Sequence, residues 1–461
     1  MDKNFKILNS KFYMGVLVTV FAVSIVFQTF LFVKNPSFWH DEAALALNIT
    51  SRSFAGLLDG LDNLQVAPPG FLFLSKLMLV LFNPKTDYWR DFCLRVIPFL
   101  SGILSIAAFY YLSTQVFRNR LQILISNLLF ALNPCAILYA SQYKQYSTEL
   151  FVSVILLSIF YNIINGSFKK YYYLILVLAP FFSYSSIFIL ITGCILSFRK
   201  RVCIPVIAGL VFLYIINLRC VFYINYSGMN DFYSDFYSFV SFLTPVRLLI
   251  RFSELFISYK IKVLNLLCGA FGALLVLTYV FAKRIQLREK LLFLGPIIVV
   301  ILASSLHKYP VQARLILFLL PNFVIIAVSC SSKIIRAMCV IILLYSLTSY
   351  TIYADWLSYS YARDIVKTIK SSIKPEDKIV IDRGGYEYRY YLQNSGIKNK
   401  VLTVPEFCYS DTQVCKDFIN NLPAGGYYFL TTGYGADRLS GAEEVNVGYE
   451  PEQIKAVFIN K

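Results

Sequence analysis

"KFYMGVLVTVFAVSIVFQTFLFVKNPSFWHDEAALALNIT", residues 11–50, decides how this chain folds. From Phe12 to Val33 no side chain is charged. At about 1.5 Å per residue, a helix of that length crosses a hydrocarbon core of about 30 Å. The run exceeds the apolar core of a signal peptide, about 7–15 residues, and lacks a small-residue cleavage site, so it reads as a retained helix. Beyond Lys34 come two adjacent acids, Asp41 and Glu42, where the chain leaves the membrane. Acids beside a membrane are costly and are functional candidates by default. Asp41 also suits the N-cap of a short amphipathic helix, "EAALALNI".

The rest of the chain repeats the first pattern. Its 461 residues are 57% hydrophobic, against about 45–50% apolar in ordinary soluble proteins. Recurrent apolar runs predict an α-helical polytopic membrane protein. The formal charge of +17 does not point to nucleic acid. Basic residues cluster between apolar runs, as membrane orientation requires, rather than forming one stripe on a soluble domain. The ten cysteines show no CxxC and no zinc-like spacing. Most lie in apolar runs and serve as small core residues. Cys408 and Cys415 fall in a polar tail; a disulfide between them is expected if that tail lies outside the cytoplasm.

Six basic clusters set the threading: Lys3/Lys6/Lys11, Arg118/Arg120, Lys169/Lys170, Arg199/Lys200/Arg201, Lys283/Arg284/Arg288/Lys290 and Lys333/Arg336. Placing all six inside gives spans at roughly 12–33, 92–112, 121–140, 147–165, 171–184, 186–198, 203–217, 263–282, 291–306, 311–330 and 337–353. That is about eleven crossings, with the N-terminus cytoplasmic and the C-terminus outside. The fifth and sixth are short and form a bent hairpin around "SYSS". "PPGFLFLSKLMLVLF", 68–82, is too short to span and reads as an interfacial or re-entrant helix opened by Pro68 and Pro69. Two domains follow: a core over 1–353, with the first outer loop at 34–91, and an outer tail over 354–461. "KPEDKIVIDRGGYEYRYYLQNSG" reads as strand, glycine turn and helix, and "AGGYYFLTTG" as a further strand. The tail is therefore expected to be a small α/β domain.

On the outer face this threading gathers reactive groups. "NPCAILYASQYKQYSTELF", 133–151, places Gln142, Lys144, Gln145, Tyr146 and Glu149 between two spans with almost no loop. "HKYPVQARLILFLLP", 307–321, puts His307, Lys308 and Arg314 outside, against the positive-inside bias. Cations there suit a lipid phosphate; they equally suit snorkelling or a pair with an acid such as Glu149. A carboxylate can deprotonate an acceptor hydroxyl or amine while cations stabilise a departing lipid phosphate. That is sugar transfer from a lipid-phosphate donor, and no Walker or GxGxxG motif offers a nucleotide site.

These motifs resemble those of the membrane glycosyltransferases of the C-type fold, in the bacterial branch related to protein O-mannosyltransferases and the lipid A aminoarabinose transferase. The likeness runs from the first span to about residue 353. It is carried by "FWHDEAALALNI", "APPGFLFLSKL", "YASQYKQYSTELF" and "KYPVQARLILFLLP" in that order. The resemblance implies a polyprenyl-phosphate sugar donor, inverting displacement, and a glycan, lipid or protein acceptor. It implies Asp41 as general base, with Glu42 in support. Lys308, Arg314 and His307 would hold the phosphate. His40, Gln65, Gln142, Lys144 and Tyr146 would line the donor or acceptor pocket. Val66-Ala67 stand where some relatives carry Lys or His, and Lys144 where Arg is common. No essential metal or other cofactor is expected. The implied location is a bacterial inner membrane.

Two other readings use the same face. A transporter would carry its charges near the midplane on repeated halves; here they lie at one face and no halves match. An O-antigen-type polymerase or ligase would use a diphosphate-linked donor, with Arg247, Arg251, Lys260 and Lys262 as phosphate ligands. Those residues also suit the polar face of an interfacial helix.

Overall fold

The computed structural model describes residues 10–197, 200–223, 233–237, 244–256, 262–329, 340–343, 361–381, 385–403, 421–432, 443–444 and 454–460. Among them the helices in chain order are α1 (Ser10–Lys34), α2 (His40–Ser51), α3 (Pro69–Phe82), α4 (Asp87–Val116), α5 (Arg120–Ala131), α6 (Pro134–Ala140), α7 (Tyr146–Ile164) and α8 (Tyr172–Phe182). There follow α9 (Ser186–Ser197), α10 (Lys200–Tyr223), α11 (Thr244–Ser253), α12 (Lys262–Phe281), α13 (Leu287–Ser305), α14 (Leu320–Ser329), α15 (Ala362–Ser372) and α16 (Tyr386–Ser395).

The chain forms two compact units. The first is Met1–Lys34, Phe54–Leu77 and Arg95–Tyr353; the second is Asn35–Ser53, Met78–Leu94 and Ala354–Lys461. The tail expected from residue 354 thus shares its unit with two pieces of the first outer loop.

The first unit is helical and belongs in a membrane. Among the described residues, helices α1, α4 and α7 are long and apolar enough to cross, and α5 with α6, bent by 50° at their break, reach that length and hydropathy only when taken together. Phe12, Val18, Val26 and Phe30 on α1, and Ile204, Ile207 and Phe212 on α10, face outward. So many large exposed apolar groups suit lipid rather than water. Helix α7 is the central one: 67% of its apolar window is buried, against 33% for α1. Its Leu150, Val154, Leu157 and Phe160 join Ile189 and Leu190 of α9 and residues 317–320 in one core.

Within the described residues the expected spans fall on helices, with local differences. The 121–140 span breaks at Pro134, which opens α6 because it has no N–H to donate. Asn133 caps that break, its Oδ1 accepting from Ala136 N–H at 3.0 Å. Helix α8 ends at Phe182 and α9 begins at Ser186, so "SYSS" is indeed the hairpin turn. There the Ser183 Oγ accepts from Ser186 N–H at 3.1 Å. The 311–330 span starts later than expected, with a 3-10 turn at Leu317–Leu319 leading into α14. Residues before it are held in turns by tertiary bonds, Val311 N–H to Phe236 O at 2.8 Å and Tyr309 Oη to Leu315 O at 2.6 Å. The 337–353 span lies outside the described residues except for 340–343, and Cys408 and Cys415 lie wholly outside them. Helix α3 begins at Pro69; at 14 residues it is about 21 Å long, short of the hydrocarbon core.

The second unit contains α2, α15, α16 and a sheet. Strands β1 (Lys378–Ile381), β2 (Val401–Thr403), β3 (Gly426–Thr432), β4 (Glu443–Glu444) and β5 (Ile454–Asn460) lie in the order β2-β1-β3-β5-β4. Strands β1, β2 and β3 are parallel, while β5 runs antiparallel to β3 and β4. Ile379, Val380 and Ile381 are buried, as are Ile365, Val366 and Ile369 of α15. The tail is thus the α/β structure its alternating strand and helix patterns predict.

Candidate functional site

The acids of the opening stretch lie in the first turn of α2, in the second unit. The helix starts at His40 with Trp39 as N-cap, two residues earlier than a cap at Asp41 would allow. Carboxylates are favoured there by the unsatisfied N–H groups of the helix start. Glu42 is buried, and its Oε2 accepts from Trp39 N–H at 3.3 Å. That is one half of a capping box. Asp41 is half-buried. His40 Nδ1 lies 3.6 Å from Glu387 Oε2 of α16, and its ring is 4.7 Å from Tyr386.

The chain entering α2 is held by residues that the sequence did not single out. Phe38 N–H donates to Tyr391 Oη at 2.7 Å, and Tyr391 Oη donates to Asp91 Oδ2 at 2.7 Å. Arg363 Nη1 reaches the same oxygen at 2.9 Å. Burial and the Asp91 charge push the Tyr391 hydroxyl well above its ordinary range, so it stays a neutral O–H that can accept and donate at once. Asp91 is visible in the sequence as an acid within the apolar run that follows Trp89. Its partners are separated from it by hundreds of residues and leave no local signal.

In the first unit, the 141–149 segment is buried throughout. Lys144 Nζ donates to Gln65 Oε1 at 2.6 Å, and Gln145 Nε2 to Val66 O at 3.2 Å. The Tyr143 ring stacks on Phe71 at 5.8 Å, and Tyr146 meets Tyr139 edge-on at 5.2 Å. Two expected pocket residues, Gln65 and Lys144, are therefore in contact, with Gln142 and Tyr146 on the same buried segment. The packing beneath is tight: a Cβ on Gly70 would lie 2.6 Å from the Phe182 ring. Gln142 Oε1, Gln145 Oε1 and Ser147 Oγ are buried with no hydrogen-bond partner among the described residues. Glu149 accepts from Ser185 and from Tyr184 N–H.

The late turn follows α13. His307 adopts a left-handed φ of 54°, and its ring packs against Tyr237 at 5.0 Å. His307 and Lys308 are exposed, and Arg314 is half-buried, with its Nε donating to Gln312 Oε1 at 3.0 Å. Arg251 stacks over Phe236 at 4.4 Å and pairs with Glu254 at 3.2 Å. Among the described residues, no group of three or more His, Cys, Asp or Glu is arranged to hold a metal ion.

No family model matches the chain, and no curated protein does. Solved structures do. The Archaeoglobus fulgidus oligosaccharyltransferase in its apo form aligns with a TM-score of 0.52 at 13% identity, over 93% of this chain and 70% of that one. AglB from Archaeoglobus fulgidus, in complex with an inhibitory peptide and a dolichol-phosphate, gives 0.50 at 12% identity, over 90% and 69%. ArnT from Cupriavidus metallidurans, bound to undecaprenyl phosphate, gives 0.47 at 13% identity, over 96% and 98%. The chain shares the fold of the Archaeoglobus fulgidus oligosaccharyltransferase, in keeping with the C-type fold that the sequence motifs resemble. The protein is a polytopic integral membrane protein with a small α/β region at its C-terminus.

Proposed function

We propose that this chain is an inverting glycosyltransferase that moves a sugar from a polyprenyl-phosphate donor to a glycan, lipid or protein acceptor at the outer face of a bacterial inner membrane. The observation that carries this reading is the fold, shared with an oligosaccharyltransferase solved with a dolichol-phosphate, in a chain whose Asp41 occupies the first turn of α2. Asp41 is the general base. It takes the proton of the acceptor hydroxyl or amine as that atom bonds to the anomeric carbon. The bond from that carbon to the phosphate oxygen breaks on the opposite side, and the electron pair leaves with polyprenyl phosphate. Lys308, Arg314 and His307 stabilise the departing charge. His40, Gln65, Gln142, Lys144 and Tyr146 shape the donor and acceptor pockets. The Gln142 and Gln145 acceptors, which have no partner among the described residues, suit the hydroxyls of a sugar, since a buried acceptor without a donor calls for one. The reaction uses no metal.

The test is sugar transfer in nanodiscs with a panel of radiolabelled polyprenyl-phosphate sugars and a cell-envelope extract as acceptor. Wild type transfers one of them, and a well-folded Asp41→Asn variant loses transfer by about 10²–10⁴-fold. Transfer that survives in Asp41→Asn moves the base elsewhere. No transfer from any monophosphate donor by folded wild type favours the diphosphate-dependent polymerase reading.

A further inference from the structure

We propose that Asp91, Arg363 and Tyr391 are positioning residues that fix the chain entering α2 and thereby aim the Asp41 carboxylate. The proposal rests on the reading of Asp41 as general base. All the groups belong to one compact unit. Three bonds act on the short segment between α1 and α2. Arg363 Nη2 donates to Asn35 O at 3.0 Å, Arg363 N–H to Ser37 Oγ at 3.2 Å, and Phe38 N–H to Tyr391 Oη at 2.7 Å. Asp91 ties the Arg363 and Tyr391 side chains together, receiving Arg363 Nη1 at 2.9 Å and Tyr391 Oη at 2.7 Å on one oxygen.

Two features argue for geometry rather than stability. Asp91 is fully buried and the Arg363 side chain is only 16% exposed. A buried ion pair of this kind gives little net stability, and well-packed apolar groups would often serve the fold as well or better. What such a network does supply is one arrangement held from several sides. The segment it holds is also strained. Asn35 is buried at a left-handed φ of 40°, a conformation that persists only where the surroundings over-determine it. Besides the Arg363 bond to its carbonyl, Asn35 Nδ2 donates to Tyr88 O at 2.9 Å. Phe38 precedes the N-cap of α2, so the bond to its N–H sets the direction in which the helix starts. Asp41 lies on that helix's first turn.

Tyr391→Phe removes both bonds at one oxygen with little change in shape. We expect kcat for sugar transfer to fall about 100-fold, the size of effect that a small misplacement produces. KM for the lipid-linked donor should stay within about twofold. Amide exchange over residues 35–42, followed in nanodiscs, should quicken. Tyr428→Phe removes a hydroxyl elsewhere in the same unit, 3.5 Å from Ser372 Oγ; its kcat and its exchange over 35–42 should match wild type. Asp91→Asn is the second variant should Tyr391→Phe not fold, with the same expected signature. A folded Tyr391→Phe or Asp91→Asn with wild-type kcat, or with unchanged exchange over 35–42, overturns the proposal. Asp41→Asn is assayed in parallel. If it transfers at the wild-type rate, the Asp41 reading fails, and exchange over 35–42 still reports separately whether the clamp holds the segment.

Discussion

Asp41 and Glu42 are neighbours in different surroundings, Asp41 half-buried and Glu42 fully buried. Glu42 is buried and turned back to Trp39 N–H, so its first task is to close the start of α2. A glutamine keeps an oxygen for that bond. Glu42→Gln should therefore transfer at close to the wild-type rate, whereas Asp41→Asn should not. Glu42→Ala removes the acceptor and should cost about 1 kcal/mol of stability, the ordinary worth of a cap, read as a lower thermal midpoint in detergent. A Glu42→Gln enzyme as inactive as Asp41→Asn would make Glu42 the base. The adjacent acids were legible because carboxylates at the end of an apolar run are conspicuous. Which of them is turned into the cap was not, because Glu42's partner is a backbone N–H whose direction depends on where the helix begins.

At the scale of elements, apolar length and basic clusters located the helices, and the late turn shows where that reading stops. Residues 311–316 are apolar enough to continue a helix, yet Val311 N–H is taken by Phe236 O and the Tyr309 hydroxyl by Leu315 O. Neither bond follows from hydropathy. The clamp on α2 was hidden for the same reason, since Phe38 and Tyr391 are 353 residues apart in sequence. The glycine after α16 acts through its local backbone instead. Gly396 stops that helix at φ 76° with no heavy atom within 4 Å of an added Cβ. Space is available, so the cost of Gly396→Ala is backbone strain alone, about 1–2 kcal/mol. It should appear as a lower unfolding midpoint with transfer kinetics unchanged below it. At Gly70 the cost is steric, because a Cβ would lie 2.6 Å from the Phe182 ring. Gly70→Ala should destabilise the first unit by about 1–3 kcal/mol.

For the whole molecule, the second unit gathers the exit of α1, the start of α4 and the tail, so pH acts on all three together. Burial, with the Asp91 charge, raises the Tyr390 and Tyr391 hydroxyls well above their ordinary range. In an unfolded chain each ionises near pH 10. Because folding raises these values, the folded state favours the protonated form. The linked stabilisation is fully present below about pH 10 and is lost as pH rises through the folded-state values. Unfolding of this unit should therefore be promoted by alkali, with tyrosinate absorbance from these two residues appearing together with the loss of structure. Orientation is the remaining whole-chain property. The threading expected from the basic clusters would put the 165–171 loop in the cytoplasm and the tail outside. Lys169 and Lys398 are both exposed, so each can carry a reporter cysteine, in a background where Cys408 and Cys415 are serine. A membrane-impermeant maleimide should label Lys398→Cys in intact cells, and Lys169→Cys only after permeabilisation. The opposite pattern would put the tail and the segment leaving α1 in the cytoplasm. Transfer at the outer face would then be ruled out, because Asp41 would meet acceptors only from the cytoplasmic side.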